Sequence, residues 1–308
     1  MSVVCRNYSP EPFFTDDYRK VRNFLIRINA EKFSTPRMLW GAWEWAVTHG
    51  GRDQNNLGKI GLWEDDGNLV ALATYECPLG EAFLCVDEAY AYLKTELLVY
   101  AKENLHDNGK LILSLPDGDN ELQRFALTQG FRPTMNNDHF AVLDIDMIQP
   151  VVLPEGFSFV SMANGWDWQQ YNRVMWRGFD HGSKQPYDDE TISGRKQMLS
   201  SPMIIPELVV AVKAPDGNFV SHCGMWYRPG DFYCMLEPLV TDPDYRKMGL
   251  GKAVVHEAAR RCGELGAKQM LGAINQLFYC RIGLYPICTY TYWELIVNNP
   301  PPEEVGLA

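Results

Sequence analysis

The 308 residues, at roughly 150 per domain, suit two modest domains that can each bury a core. With 46% apolar and 22% charged residues the composition is ordinary for a globular chain, which argues against a disordered, collagen-like or coiled-coil protein. A formal charge of −11 has the wrong sign for a protein whose principal ligand is a nucleic-acid backbone.

In chain order, the start Met1-Ser2-Val3-Val4-Cys5-Arg6 lacks the charged-then-apolar layout of a signal peptide. No stretch approaches the roughly 18 uninterrupted apolar residues of a membrane span, so a soluble, cytoplasmic protein is expected. Trp40, Trp43 and Trp45, with Met38 and Leu39, read as a helix packed on the first core. Asp66-Gly67-Asn68-Leu69-Val70 reads as a hairpin turn and returns 150 residues later as Asp216-Gly217-Asn218-Phe219-Val220. Gly80 to Cys85 lies opposite Gly230 to Met235 at the same offset, and Gly130-Phe131-Arg132-Pro133 lies opposite Gly283-Leu284-Tyr285-Pro286. Each half therefore reads as a strand, one or two helices, two hairpin strands, a third strand, a long helix, a fourth strand, a short helix and a closing strand. That is an α/β pattern with a mixed sheet. Pro150 and Pro154 block continuous structure between the halves, which sets domains at 1–149 and 150–298 and leaves a proline-rich tail at 299–308.

In the second half, strands are expected near Glu207 to Lys213, Phe219 to Arg228, Asp231 to Thr241, Lys268 to Ile274 and Ile287 to Ile296. The long helix lies between the third and fourth. Leu250, Ala253, Val254, Ala258, Cys262 and Leu265 recur at helical spacing on its core face, while Lys252, His256, Arg260 and Glu264 are expected to face water. Trp166, Trp168 and Trp176 read as packing residues, like the earlier tryptophans. Eight cysteines form no CxxC pair and six histidines no HExxH, so free thiols and no metal are expected.

The sharpest signal runs from Val240 to Lys252, where a strand end enters the long helix. Helix N-termini present unpaired N–H groups and partial positive charge, and Gly249 and Gly251 remove the side chains that would hold a phosphate off that backbone. Arg246, Lys247 and Lys252 add cations, and Met248 and Leu250 complete the loop. A Walker loop is excluded by Arg246 and Ala253 at its glycine and hydroxyl positions, and a dinucleotide fingerprint by Val254 at its third glycine. Pro238, inside a predicted strand, marks a bulge or splay.

The remaining pattern, Arg-x-x-Gly-x-Gly after a strand, resembles the acyl-CoA loop of the GNAT superfamily of acyltransferases. Phe278-Tyr279-Cys280-Arg281-Ile282-Gly283-Leu284 resembles that family's second signature, a short helix with a tyrosine four residues before a glycine. The likeness covers about Phe157 to Glu294, with the first half a worn copy in a layout similar to mycothiol synthase and other tandem GNAT proteins. It implies two tandem GNAT-like domains, each a mixed, mostly antiparallel sheet flanked by helices with a splayed central strand pair.

It also implies acetyl transfer from acetyl-CoA to a primary amine of a small molecule or peptide, by direct attack in a ternary complex. The pantetheine arm would pair with backbone at Leu239, Val240 and Thr241. Tyr279 would protonate the departing thiolate and Glu237 would take the amine's proton. Asn275 is a candidate partner of the pantetheine arm, although it stands four residues before Tyr279 where many members have seven. Phe179 to Tyr187 would line the acceptor site, with His222, Asp180 and His181 as weaker candidate bases. In the first half Val86 leads directly into Asp87-Glu88-Ala89-Tyr90, and Ala126 stands where the tyrosine would be, so no donor is expected there. Gly80 to Gly109 spans 29 residues against 36 for Gly230 to Gly266, a shortening expected at the loop. Two other classes stay open: a CoA-binding regulatory or scaffold protein without turnover, and an interaction module using the first half. The oligomeric state is not indicated.

Overall fold

A computed structural model describes residues 3–30, 33, 36–274 and 276–296. In chain order the elements are β1 (Val4–Asn7), α1 (Asp16–Ile28), α2 (Trp40–Thr48), β2 (Gly61–Asp65), β3 (Asn68–Thr74), β4 (Glu81–Val86), α3 (Lys94–Asn104), β5 (Lys110–Pro116), α4 (Asn120–Thr128) and β6 (Arg132–Asp144). There follow β7 (Ser158–Ser161), α5 (Trp168–Gly178), α6 (Asp189–Met198), β8 (Val209–Lys213), β9 (Phe219–Trp226), β10 (Tyr233–Thr241), α7 (Leu250–Glu264), β11 (Gln269–Ile274), α8 (Leu277–Arg281) and β12 (Tyr285–Ile296). Asn275 and the tail at 299–308 lie outside the described residues.

Two compact units form. The first gathers the described residues of Met1–Thr35, Gly51–Asp138 and Thr289–Ala308, and the second Pro36–Gly50 and His139–Cys288. They are not the contiguous halves that a cut at 149/150 would give. Tyr290 to Ile296 of β12 pair antiparallel with β5 in the first unit, and His139 to Asp144 of β6 pair antiparallel with β11 in the second. Backbone pairing along these strands holds each segment in the unit it completes. These ladder bonds come from partners that sequence adjacency would not supply.

In the first unit β1, β2, β3 and β4 run antiparallel and β4 meets β5 in parallel. In the second, β7, β8, β9 and β10 run antiparallel and β10 meets β11 in parallel. Both parallel pairs are short. β4 and β5 register only at Glu81↔Ile112 and Ala82↔Leu113, and β10 and β11 only from Tyr233↔Gln269 to Met235↔Leu271. Beyond those points each pair is splayed, as expected.

Local chemistry explains the helices that support the splay. Asp167 caps α5 by accepting from the N–H groups of Gln169 and Gln170, and Tyr171, Val174 and Met175 form its buried stripe. α7 buries Leu250, Ala253, Val254, Ala258 and Cys262 as its spacing predicts, but Leu265 lies past the helix and is exposed. His256, expected to face water, is buried instead, because its Nε2 bonds the Ile282 carbonyl at 2.8 Å.

The tryptophan-rich helix α2 belongs to the second unit, a correction to its expected place on the first core. Trp40 meets Trp226 edge-on with centroids 6.3 Å apart. Thr48 donates to the Met198 carbonyl at 3.1 Å, and Ser201 donates to Glu44 at 2.6 Å. Adjacency in sequence favoured the first core, but the aromatic face of β9 and the end of α6 supply the partners. Among the described residues no helix is long and apolar enough to cross a membrane.

Candidate active site

The site grows from a defect in β10. Leu236 pairs with Met225, yet Leu239 pairs with Cys223, so β10 carries one residue more than β9 across that step. The strand bulges at Glu237-Pro238, where Pro238 has no N–H to give a ladder. Gly224 on β9 is required opposite, since a Cβ there would fall 2.6 Å from the Glu237 carbonyl oxygen. That carbonyl accepts from the Trp226 indole N–H at 3.0 Å. Past the bulge, Leu239, Val240 and Thr241 keep β9 as neighbour while their other edge has lost β11.

After β10 the chain turns through Pro243–Tyr245 and enters α7 by way of Arg246 to Gly249. Asp242 anchors the turn. Its side chain is fully buried and accepts two bonds from Arg177, at 2.7 and 2.9 Å, with Arg173 at 2.8 Å. It also accepts from the N–H of Asp244 at 3.1 Å. Burial alone would raise the Asp242 pKa, but the bond from Arg177, the Asp244 amide and the charges of both arginines hold it below the usual carboxylate value. This pair of arginines, one helical turn apart on α5, was missed from the sequence. Its signal is the spacing of Arg173 and Arg177 together with an aspartate directly after a strand.

Lys247 and Gly249 both adopt the left-handed region, at φ of 67° and 81°. Glycine tolerates this conformation, whereas the lysine is strained, as residues in functional loops often are. The first intrahelical bond is from Ala253 N–H to the Gly249 carbonyl. Among the described residues no N–H from Lys247 to Lys252 donates to a protein acceptor. These amides sit at the positive end of α7.

A cavity of about 660 Å³ opens here. Leu239, Val240 and Thr241 line it, as do Arg246, Lys247 and the segment from Gly249 to Lys252. Phe278 and Tyr279 of α8 close one side, and Phe179 and Asp180 stand at another. The structure thus brings most of the expected residues together. Met248 and Glu237 are not in that lining. Arg246 is already engaged: it donates to the Thr241 and Gly178 carbonyls and pairs with Asp180 at 3.0 Å, tying the end of α5 to the loop. Lys247 and Lys252 are exposed and have no carboxylate partner among the described residues.

Tyr279 packs edge-on against Phe278 at 5.3 Å, and its hydroxyl has no protein hydrogen-bond partner among the described residues. Burial, then the nearby charge of Glu237, push its pKa up to about 12. The phenol is therefore protonated throughout the neutral range. Glu237 is close enough to act on Tyr279 electrostatically while lying outside the cavity wall. His222 is wholly buried beside Trp166 and Tyr171, and burial lowers its pKa to about 3, which removes it from base chemistry at neutral pH. Among the described residues no cluster of side chains suited to a metal ion is present.

Residues 168–283 match the acetyltransferase (GNAT) family model. No curated protein matches the chain in sequence. Among solved structures, a GCN5-related N-acetyltransferase from Sphaerobacter thermophilus is similar over 97% of both chains, with 16% identity and a TM-score of 0.60. A tandem GNAT protein from the clavulanic acid biosynthesis pathway is similar over 97% of this chain and all of that one, with 14% identity and a TM-score of 0.62. N-myristoyltransferase of Saccharomyces cerevisiae, solved with bound myristoyl-CoA, is similar over 97% of this chain and 80% of its own, with 13% identity and a TM-score of 0.56. Residues 168–283 thus carry an acetyltransferase (GNAT) domain around an open helix-start loop, and the chain as a whole has the fold of a tandem GNAT protein.

Proposed function

We propose that the protein transfers an acetyl group from acetyl-CoA to a primary amine of a small molecule or peptide, both substrates being bound at once. The observation that carries this reading is the run of amides from Lys247 to Lys252 without protein acceptors, at the mouth of a cavity that also holds Tyr279. A diphosphate fits those amides, with Lys247 and Lys252 adding charge. The pantetheine arm then follows the free edge of Leu239, Val240 and Thr241. Asn275, a sequence candidate for that arm, lies outside the described residues.

In the proposed reaction the amine nitrogen attacks the thioester carbonyl, and a backbone N–H at the bulge stabilises the oxygen as it gains charge. The C–S bond breaks, and Tyr279 gives its proton to the leaving sulfur. Glu237 receives the amine's proton through water, since it is beside the cavity instead of in its wall. The segment from Phe179, adjoining the loop through Asp180 and Arg246, is the proposed acceptor wall. The acidic balance of the chain favours a cationic acceptor.

Calorimetry with acetyl-CoA, followed by a panel of amines assayed for release of free CoA thiol, tests the reading. Saturable binding at one site and amine-dependent thiol release are expected. Binding without turnover on any amine would point to a regulatory or scaffold protein instead, and no binding would remove the reading altogether.

A further inference from the structure

The helix that carries Tyr279, α8, is only five residues long, and no side chain caps it at Gln276. A helix of that length does not sustain itself in water, so its position is set from outside. Ile282 and Leu284, just past its end, are buried in the core with Leu250, Val254 and Ala258 of α7. The Tyr279 carbonyl accepts from the N–H groups of Ile282 at 3.2 Å and Leu284 at 3.0 Å, which joins the tyrosine to that anchored turn. Among the described residues, one side-chain hydrogen bond reaches residues 277–284, and it comes from His256 of α7. The Ile282 carbonyl oxygen, 2.8 Å from Nε2, can only accept, so the proton is on Nε2. Nδ1 is then bare, and it is buried without a hydrogen-bond partner. Burial lowers the His256 pKa, against the Ile282 bond and with the charge of Lys252, which keeps the ring neutral. An apolar side chain would strand no nitrogen here, but it would leave the Ile282 carbonyl unheld.

Resting on the reading of Tyr279 as proton donor, we propose that His256 is its positioning residue. The bond to the Ile282 carbonyl ties α8 to α7, so the phenol is carried by the same helix whose first turn meets the thioester donor. His256 lies one helical turn beyond Lys252, and a Cβ at Gly251 would come 3.2 Å from the Phe278 ring, so the two helices are also in contact at their starts. Donor and acid are thereby referred to one rigid element. Proton transfer to the leaving sulfur depends on that registration, since a misplacement of about 1 Å can cost about a hundred-fold in rate.

The test follows thiol release from acetyl-CoA by the full chain with hydroxylamine as acceptor, a small amine that is uncharged at neutral pH and so needs no base. In His256→Leu, kcat is expected to fall about 10- to 100-fold while KM for acetyl-CoA stays within about two-fold. His256→Gln, whose amide N–H can stand in for Nε2–H, should recover kcat to within about three-fold of the unmodified protein. Added to Tyr279→Phe, His256→Leu should cost less than about two-fold more, because no phenol is left to place. Nitrogen NMR of the His256 imidazole should show Nε2 protonated and Nδ1 bare, a readout that needs no variant to fold. The opposite tautomer, full rate in His256→Leu, His256→Gln no better than His256→Leu, a raised KM in place of a lowered kcat, or multiplied losses in the double variant would each overturn the inference and leave Tyr279 as proton donor. Full rate in Tyr279→Phe, or no release above the uncatalysed rate, would overturn both.

Discussion

The ends of β4 and β10 are built alike and then part company. Asp87 and Asp242 each follow directly on their strand, and each sends its N–H to a carbonyl 150 residues apart in the repeat, Val70 and Val220, at 2.9 Å. Each carboxylate accepts from the amide two residues on, Ala89 or Asp244, at 3.1 Å. Each also faces an arginine from an earlier helix, Arg27 of α1 at 3.6 Å in one unit and Arg177 of α5 at 2.7 Å in the other. Even the backbone contacts recur, with Arg27 donating to the Leu69 carbonyl and Arg173 to that of Phe219. Beyond Tyr90 and Tyr245 the likeness ends. The first unit runs from its 3-10 turn into α3 without a glycine, whereas the second passes through Arg246 to Gly249, one residue longer, and leaves its helix-start amides open. The scaffold is thus common to both units, and the difference lies in the bulged strand and one short loop.

This alignment moves the length difference between the halves. Gly230 to Asp242 spans twelve residues against seven for Gly80 to Asp87, so five of the seven missing residues precede the aspartate, three of them in the strand and two in the turn before it, and not in the loop where the sequence had suggested them. A longer β10 accommodates the bulge, and the bulge exposes the edge along which a substrate arm can lie.

The largest contrast expected between the units concerns the two aspartates. Asp242→Asn leaves Arg173 and Arg177 facing a neutral group and should cost about 3–5 kcal/mol, as broken buried ion pairs do, measured as a lower urea midpoint. Asp87→Asn, whose arginine is more distant and half exposed, should cost less than about 1 kcal/mol. The Asp242 pKa is depressed in the fold, so its contribution is complete above the unfolded value near 3.9 and is lost as pH falls through the folded value. The stability gap between the unmodified protein and Asp242→Asn should therefore hold from neutral pH to about 5 and close below about 4.

Next comes the position that is Tyr279 in one half and the buried Ala126 in the other. Tyr279→Phe is expected to lower kcat by about 10²- to 10⁴-fold with little change in KM, the mark of a group used in the transition state. With the phenol pushed up to about 12, proton donation should persist through pH 10, and a kcat profile that falls near pH 10 would contradict the assignment. Gly249→Val forces a branched side chain into the left-handed region and should weaken acetyl-CoA binding about a hundred-fold by calorimetry. The smallest effect on donor affinity is that of Asp87→Ala, which removes a turn cap worth about 1 kcal/mol of stability and should leave that affinity unaltered. A loss of donor binding in that variant would break the contrast between the units.

Much of this was legible in the sequence because turn chemistry repeats it. The Asp-Gly-Asn turns and the glycines at Gly80 and Gly230 fix hairpins wherever they stand, and the α7 stripe needs only its own periodicity. The loop was legible because few segments other than an anion cradle place two glycines and three cations at a helix start. Residues whose partners are distant were not. His256 was expected to face water until the carbonyl after α8 covered it, and Arg173 and Arg177 drew no reading because their partner Asp242 stands more than sixty residues away. Glu237 was placed by proximity in sequence to the bulge, but its neighbours turn on the backbone's path there, which spacing does not encode. The destination of α2 depends on Trp226, nearly two hundred residues away.

The exchange of final strands bears on how such a protein is inherited and handled. A duplicated fold whose copies each keep their own last strand can lose one copy by deletion and survive. Here a nick between 149 and 150 would yield two fragments that each owe the other a strand, so they should copurify under native conditions. Either fragment produced alone would present an unzipped sheet margin and is expected to aggregate. The first unit is thus held in the molecule by the mechanics of the chain.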